Sequence, residues 1–213
     1  MPSSYSLPSG RPACTACGLR LADCICAELP RLELGLELHL VVHVGELVRQ
    51  SNTGRIAHRV FTGSNLHVIG RADQPIDWEP LRADDRPFHV LWPSPRARTA
   101  GPELLAEGAA VVVPDGSWRQ TRRMLVRNPV LHDMRPLALP PGPAPRWAAR
   151  RSPGAGRYCT LEALILLAEA VGHAGATAPL WDALAEVECR LMRQRGKPVN
   201  AAASRPRRGG RPG

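Results

Sequence analysis

The stretch that decides the fold is VVVPDGSWRQTRRM, residues 111–124. A run of three valines reads as a buried strand. It ends in Pro114, turns through Asp115 and Gly116, and passes at Ser117 into a segment of helix-forming residues with an N-cap hydroxyl at its start. Asp115 is thereby placed at the C-terminal edge of a strand. In open α/β sheets ligands bind outside those edges, next to helix N-termini. Asp115 with the backbone of Gly116 and Ser117 therefore forms a candidate site, although a capping role explains an aspartate there equally well.

Working outward, the same strand-then-helix reading repeats. LELHLVVHV (centred on residues 37–44), LHVIG near Val68, PFHVLWP ending at Pro93 and GAAVVVPDG ending at Gly116 are strand candidates bounded by turn residues. Helices are expected from Thr53 to Phe61, Pro102 to Glu107 and Ser117 to Arg127. Interleaving of this kind predicts an α/β fold with a mostly parallel sheet flanked by helices. A short strand from Arg135 to Leu139 leads into a proline-rich loop, Pro136 to Trp147, suited to a pocket rim. Thr160 is expected to open an apolar helix with its hydroxyl as cap and Glu162 in the first turn. A last helix, about Pro179 to Arg193, aligns Leu180, Leu184, Val187 and Leu191 on one face.

Ahead of the first apolar run, Cys14, Cys17, Cys24 and Cys26 stand as C-x-x-C then C-x-C. The spacing can wrap a tetrahedral Zn²⁺ with Gly18 supplying the turn. The alternatives are disulfides, disfavoured in a cytoplasmic compartment, and a redox pair, which normally sits at a strand-to-helix junction. Cys159 and Cys189 read as ordinary core residues. Residues 1–30 are thus expected to hold a zinc knuckle, 31–195 the catalytic domain, and 196–213 a disordered basic tail.

At 213 residues the chain has room for one catalytic core and a small appendage. Its N-terminus lacks the basic start and apolar run of a secretory signal. No stretch approaches the roughly 20 apolar residues of a membrane span. A cytoplasmic, membrane-free protein is expected, and no oligomeric state follows from the sequence. Net charge is +9; seven of the basic residues lie from Arg193 onward, leaving +2 for the rest. Within that body, residues 115–151 alone carry eight arginines against two aspartates. Clustered arginine is the footprint of a polyanionic partner, since phosphate contacts supply most non-specific nucleic-acid affinity. Because Lys197 is the sole lysine, a compositional preference for arginine is the competing explanation.

HVGELVRQSNTGRI follows the first long strand and carries His43, Glu46, Asn52 and Thr53, more polar groups than a plain connection needs; caps or a buried polar network also account for them. Taken with the DGSW turn, these residues resemble the DTW-domain family, the tRNA-uridine aminocarboxypropyltransferases, whose namesake motif is an Asp-Gly-Thr-Trp turn. The resemblance runs in order along nearly the whole chain: the cysteine cluster, an H-P-x-E then N-T segment matched by His43, Glu46, Asn52 and Thr53, and an L-x-P strand end matched by Leu91 and Pro93. The DGSW turn, the Arg150 region and TLEA from Thr160 complete it. Val44 stands where the family has Pro, Ser117 where it has Thr, and Cys159 where it has Ser, which weakens a cofactor contact from the side chain at 159.

The resemblance implies a SPOUT-like fold with a knotted C-terminal region. It also implies transfer of the 3-amino-3-carboxypropyl group of S-adenosylmethionine to N3 of a tRNA uridine, releasing methylthioadenosine, with a variable-loop position favoured by the bacterial members. Asp115 is then the candidate base. Leu91, Pro93, Ser94, Pro114, Gly116, Ser117, Thr160 and Glu162 are the candidate S-adenosylmethionine contacts. His43, Glu46, Asn52, Thr53, Trp118, Arg119, Arg122, Arg123 and Arg150 are the candidate RNA or substrate contacts, Arg150 also as a candidate grip on the donor's carboxylate. The competing readings are a methyltransferase using the same donor and a non-enzymatic zinc-ribbon RNA-binding protein.

Overall fold

The computed structural model describes residues 4–6, 12–81, 86–150 and 157–197. Arg151 and the basic tail from residue 198 lie outside them. Strands β1 (Ser4–Ser6) and β2 (Pro12–Cys14) pair antiparallel. The main sheet comprises β3 (Glu37–His43), β4 (Asn65–Ile69), β5 (Phe88–Leu91), β6 (Arg98–Thr99), β7 (Ala110–Asp115) and β8 (Arg135–Ala138). Its order is β4-β3-β7-β5-β8-β6, every pairing parallel. Helices α1 (Val44–Leu47), α2 (Gly54–Val60), α3 (Glu103–Ala106), α4 (Trp118–Arg127), α5 (Pro129–Asp133), α6 (Thr160–Ala168) and α7 (Ala178–Gln194) make up the connections and the C-terminal part.

β7 and β3 are buried nearly end to end, because a central parallel strand has both faces covered and reads as a continuous apolar run. Alternation splits their side chains between two cores. Val111, Val113, Leu38, Leu40 and Val42 pack with Ile56 and Ala57 of α2, Leu164 and Ile165 of α6, and Leu184 and Val187 of α7. Val112 and Val41 face the other way, against Met124 of α4 and Val130 and Leu131 of α5. Helix α6 buries Leu161, Glu162, Leu164, Ile165, Leu166, Leu167 and Ala168 of its nine residues. That near-complete coverage explains why its sequence is apolar on every side. Among the described residues no single helix is long and apolar enough to cross a membrane.

Each expected strand and helix is present, most ends within a residue or two. The helix opened at Thr160, expected to run to about Gly175, instead ends as α-helix at Ala168 and continues as a π-helical turn over Glu169–His173 that breaks at Gly172. Val44 begins α1 instead of ending β3, because His43 caps that turn by accepting from Gly45 N at 3.0 Å. One expectation is overturned: Thr160 does not cap α6. Cys159 occupies the N-cap position, Glu162 Oε2 accepts from Cys159 N at 2.9 Å, and the Thr160 hydroxyl turns away to donate to Asp115. A charged acceptor in a closed site competes for that hydroxyl more strongly than the helix's own N–H groups. α7 ends on Gly196 at φ 63°, with Lys197 N bonded to Met192 O at 3.0 Å, a left-handed C-terminal turn open to glycine.

The cysteine segment shares the main core: Cys14, Cys17, Leu19, Ile25 and Leu29 are all buried in it. Gly18, at φ 79°, makes the turn that lets Gly18 N reach Cys14 O and Cys14 N reach Leu19 O. α7 braces the far side, Arg190 donating to Cys24 O at 3.1 Å and to Glu28 Oε2 at 2.5 Å, and Gln194 donating to Asp23 Oδ2 at 2.8 Å.

Candidate functional site

The carboxyl ends of β3, β7, β5 and β8 meet where the chain switches direction. From β3 it steps to one side, into β4, and then crosses to the other, into β5. Such a switch opens a crevice between adjacent connections. Asp115, the last residue of β7, stands there 4% exposed. Thr160 donates to its Oδ1 and Asn52 to its Oδ2. Gly54 packs against the carboxylate so closely that a Cβ would lie 2.6 Å from Oδ2, so only glycine fits. Burial pushes the Asp115 carboxyl above its ordinary value; the Thr160 and Asn52 hydrogen bonds oppose this, Glu46 adds to it and Arg150 opposes it.

Behind this carboxylate a second network holds the loop after β3. Glu46, 1% exposed, pairs with Arg150 Nη2 at 2.5 Å, and Arg150 Nε donates to Ser51 Oγ at 2.8 Å. Asn52 Oδ1 accepts from Arg55 N at 2.9 Å and Thr53 Oγ1 from Leu161 N at 3.5 Å. His43 Nδ1 lies 3.1 Å from Gln120 Nε2, while Gln120 Oε1 accepts from Ser117 N at 2.8 Å in a capping box at the start of α4. Glu162, fully buried, accepts from three backbone N–H groups: Arg146 at 2.5 Å, Trp147 at 3.0 Å and Cys159. Its carboxylate fastens the proline-rich loop to α6.

Two cavities open around Asp115. The larger, about 620 Å³, is apolar and runs from Leu91 and Pro93 past Pro114 to the loop of residues 140–145. The smaller, about 380 Å³, has the more polar side chains, Asn52, Asp115, Arg119, Arg150 and Arg157 among them, and is the polar cavity of the two. Gly116, Trp118, Tyr158 and Thr160 line both. Trp118 is the partition, its ring 4.9 Å from that of Trp92 on one side and 4.8 Å from the Arg157 guanidinium on the other. Tyr158 donates to Pro143 O at 2.7 Å and so closes the loop over α6.

Of the expected donor contacts, Leu91, Pro93 and Pro114 line the apolar cavity, Ser117 and Glu162 the polar one, and Gly116 and Thr160 both. Ser94 lines neither; its hydroxyl accepts from Arg96 N at 3.3 Å. Asn52, Thr53, Trp118, Arg119 and Arg150 line the polar cavity, whereas His43 and Glu46 sit behind it, and Arg122 and Arg123 lie exposed on the outer side of α4. Sequence reading passed over Trp92, Trp147, Arg157 and Tyr158. Trp92 lies inside the L-x-P strand end, and Arg157 and Tyr158 directly precede the Thr160 turn, so adjacency to a motif was the available signal.

The four cysteine sulfurs lie within 4.8 Å of one another, with Cys14 and Cys26 at 3.8 Å and Cys17 and Cys24 at 3.9 Å. A tetrahedral Zn²⁺ with bonds of about 2.3 Å needs sulfur edges of about 3.8 Å, so the donor set fits. None of the six cysteines is in a disulfide. Burial works against ionisation of Cys14, but backbone and thiol hydrogen bonds outweigh it and draw the thiol down to about 7. Cys26 is pushed up by burial and by the neighbouring sulfurs. The Cys14 thiol is thus drawn toward the thiolate form in which cysteine binds a cation.

Fold and site together define a parallel α/β protein with a divided ligand crevice around a buried carboxylate and a four-cysteine knuckle fit for a metal. A family model, the DTW domain, matches residues 11–192. The chain belongs to the DTW-domain family, which is associated with tRNA-modifying transferase activity. No solved structure matches the chain.

Proposed function

We propose that the protein is a tRNA-uridine aminocarboxypropyltransferase, moving the 3-amino-3-carboxypropyl group of S-adenosylmethionine onto N3 of a uridine and releasing methylthioadenosine. The observation that carries the reading is Asp115: a buried carboxylate, raised above its ordinary value, that lines an arginine-lined chamber next to an apolar slot, the two sharing Gly116, Trp118, Tyr158 and Thr160. The apolar slot suits the adenosine part of the donor, and the polar chamber suits its charged amino acid end and the uracil.

Asp115 takes the N3 proton as N3 attacks the donor's γ carbon; the carbon–sulfur bond breaks and its electron pair stays on the sulfur of methylthioadenosine. A raised carboxyl is a better base than an ordinary aspartate, and Asn52 and Thr160 aim it. Arg150, held by Glu46 and Ser51, presents a fixed cation to the donor's carboxylate. Trp118 separates the two parts of the donor. Arg119 at the rim of the polar chamber, with Arg122, Arg123 and Arg127 beyond it, all exposed on α4, meet tRNA phosphates. The four cysteines hold a structural Zn²⁺. The same reading carries a SPOUT-like fold with a knotted C-terminal region and a cytoplasmic site of action.

The test is mass spectrometry of nucleosides and small molecules after incubating zinc-loaded protein with unmodified tRNA and S-adenosylmethionine. Aminocarboxypropyl-uridine with methylthioadenosine is expected. A methylated nucleoside with S-adenosylhomocysteine would move the reading to methyl transfer. Neither product, from folded protein, would leave an RNA-binding module.

A further inference from the structure

The cysteine knuckle and the Asp115 site lie on different parts of the chain, yet one residue joins them, by its side chain at the knuckle and by its backbone at the site. Arg55, on the first turn of α2, is only 7% exposed. Its guanidinium runs into the knuckle, donating from Nη1 to Thr15 O at 3.3 Å inside the Cys14-to-Cys17 turn. Its Nη2 end also packs against Gly18, where any Cβ would overlap it. At its other end, Arg55 N donates to Asn52 Oδ1 at 2.9 Å, and the Asn52 amide donates to Asp115 Oδ2. The chain of contacts is continuous: knuckle turn, guanidinium, α2 backbone, Asn52, Asp115.

We propose that Arg55 is a positioning residue that couples metal occupancy of the four-cysteine knuckle to the placement of Asn52 against Asp115. The physical cause lies at the knuckle. A bound Zn²⁺ locks the turn between Cys14 and Cys17 and so fixes both the Thr15 carbonyl and the face of Gly18. Without it, four sulfurs within 4.8 Å of one another have no shared cation to tie them together. The turn then loosens, and a buried guanidinium that loses its seat has to leave for water. That movement pulls on the first turn of α2 and releases Asn52 from its aim. Gly18 serves the coupling twice, through its positive φ and through the room it leaves for Arg55.

The inference rests on zinc occupancy and on the contacts of Asn52; it deepens the proposed function by naming what aims its base, but its test uses no turnover. Loss of the Asn52 contact frees the first turn of α2 and with it the Arg55 guanidinium that seats the knuckle turn, so on this proposal a change at Asn52 reaches the metal through Arg55. The measurement is the rate of zinc release from the full zinc-loaded chain to a chromogenic chelator, for wild type, Asn52→Ala, Arg55→Lys and the double variant. Asn52→Ala is expected to speed release by about 5-fold or more in the wild-type background, the lower end of typical coupling. In the Arg55→Lys background its effect should shrink to less than about 2-fold, outside simple additivity.

Equal effects of Asn52→Ala in both backgrounds, or none in wild type, would overturn the proposal, since general loosening of the fold multiplies independently of Arg55. A chain that does not take up zinc overturns it too. If Asn52→Ala does not fold, Asn52→Ser takes its place in the cycle. Absence of aminocarboxypropyl-uridine in the turnover assay would sink the proposed reaction and leave this cycle standing.

Discussion

Asp115 is held by two opposed influences. Burial raises its carboxyl, while Asn52 and Thr160 each donate a hydrogen bond that favours the charged form, and burial prevails. A carboxyl raised by folding contributes stability that is present below its unfolded value and is lost as pH rises through its folded value. At neutral pH the charge is therefore a cost to the fold. Asparagine removes that cost, and both partners can still be satisfied: its oxygen accepts from Asn52, and its amide donates to a Thr160 hydroxyl that has rotated to accept. Asp115→Asn is expected to lower turnover by about 10³-fold or more, in line with removal of a positioned base, while Tm at pH 7 stays level or rises. The checks are single-turnover kinetics and calorimetry; wild-type turnover would remove Asp115 from the mechanism. At this scale the sequence placed Asp115 at a strand end correctly, from the proline and glycine that follow the valine run. It misjudged Thr160, because local pattern sees the nearest helix terminus but not a carboxylate 45 residues away.

At the scale of the element, α4 shows two faces with separate duties. Thr121 and Met124 are buried, and Ser117 with Gln120 closes the N-terminal box. Arg119, Arg122, Arg123 and Arg127 are exposed. Sequence reading gathered these arginines into one charged block without assigning faces, although residues three and four apart do share a helix face. What it did not show is that the arginine face borders the polar chamber at Arg119 alone, with Arg122 and Arg123 further out. Those two arginines line neither cavity, so their replacement by alanine leaves the site intact. The double variant Arg122→Ala with Arg123→Ala is expected to weaken tRNA binding uniformly across sequences. Its slope of log affinity against log salt should be shallower by about 1 to 2, at roughly 0.7–0.9 for each phosphate no longer neutralised. Binding measured over a salt series checks this, and an unchanged slope would take α4 out of the interface.

For the whole molecule, the knuckle is part of the main core: Cys14, Cys17 and Ile25 pack with the same sheet face as α6 and α7, and Arg190 and Gln194 of α7 clamp it. Disturbing it exposes apolar surface that belongs to the entire fold. Removal of the metal by a strong chelator is therefore expected to cost several kcal/mol and to lower Tm by roughly 10 °C, taking about 2–4 °C per kcal/mol for a chain of this size. Differential scanning fluorimetry with and without chelator reads it out. A Tm that does not move would deny the cysteines a structural metal.

By itself the sequence determined the order and kind of the elements, the grouping of four cysteines, and the position of Asp115 at a strand's end. These are short-range properties. A parallel strand covered on both faces must be apolar throughout, an amphipathic helix must repeat at 3.6 residues, and a turn needs its glycine or proline. Only the tertiary structure decided the strand order β4-β3-β7-β5-β8-β6, the division of the crevice by Trp118, and the meeting of Asn52, Asp115 and Thr160. It alone also seated Arg55 against Gly18. Those contacts join residues tens of positions apart, and their partners are chosen by how two sheet faces and their helices pack, which no local periodicity encodes.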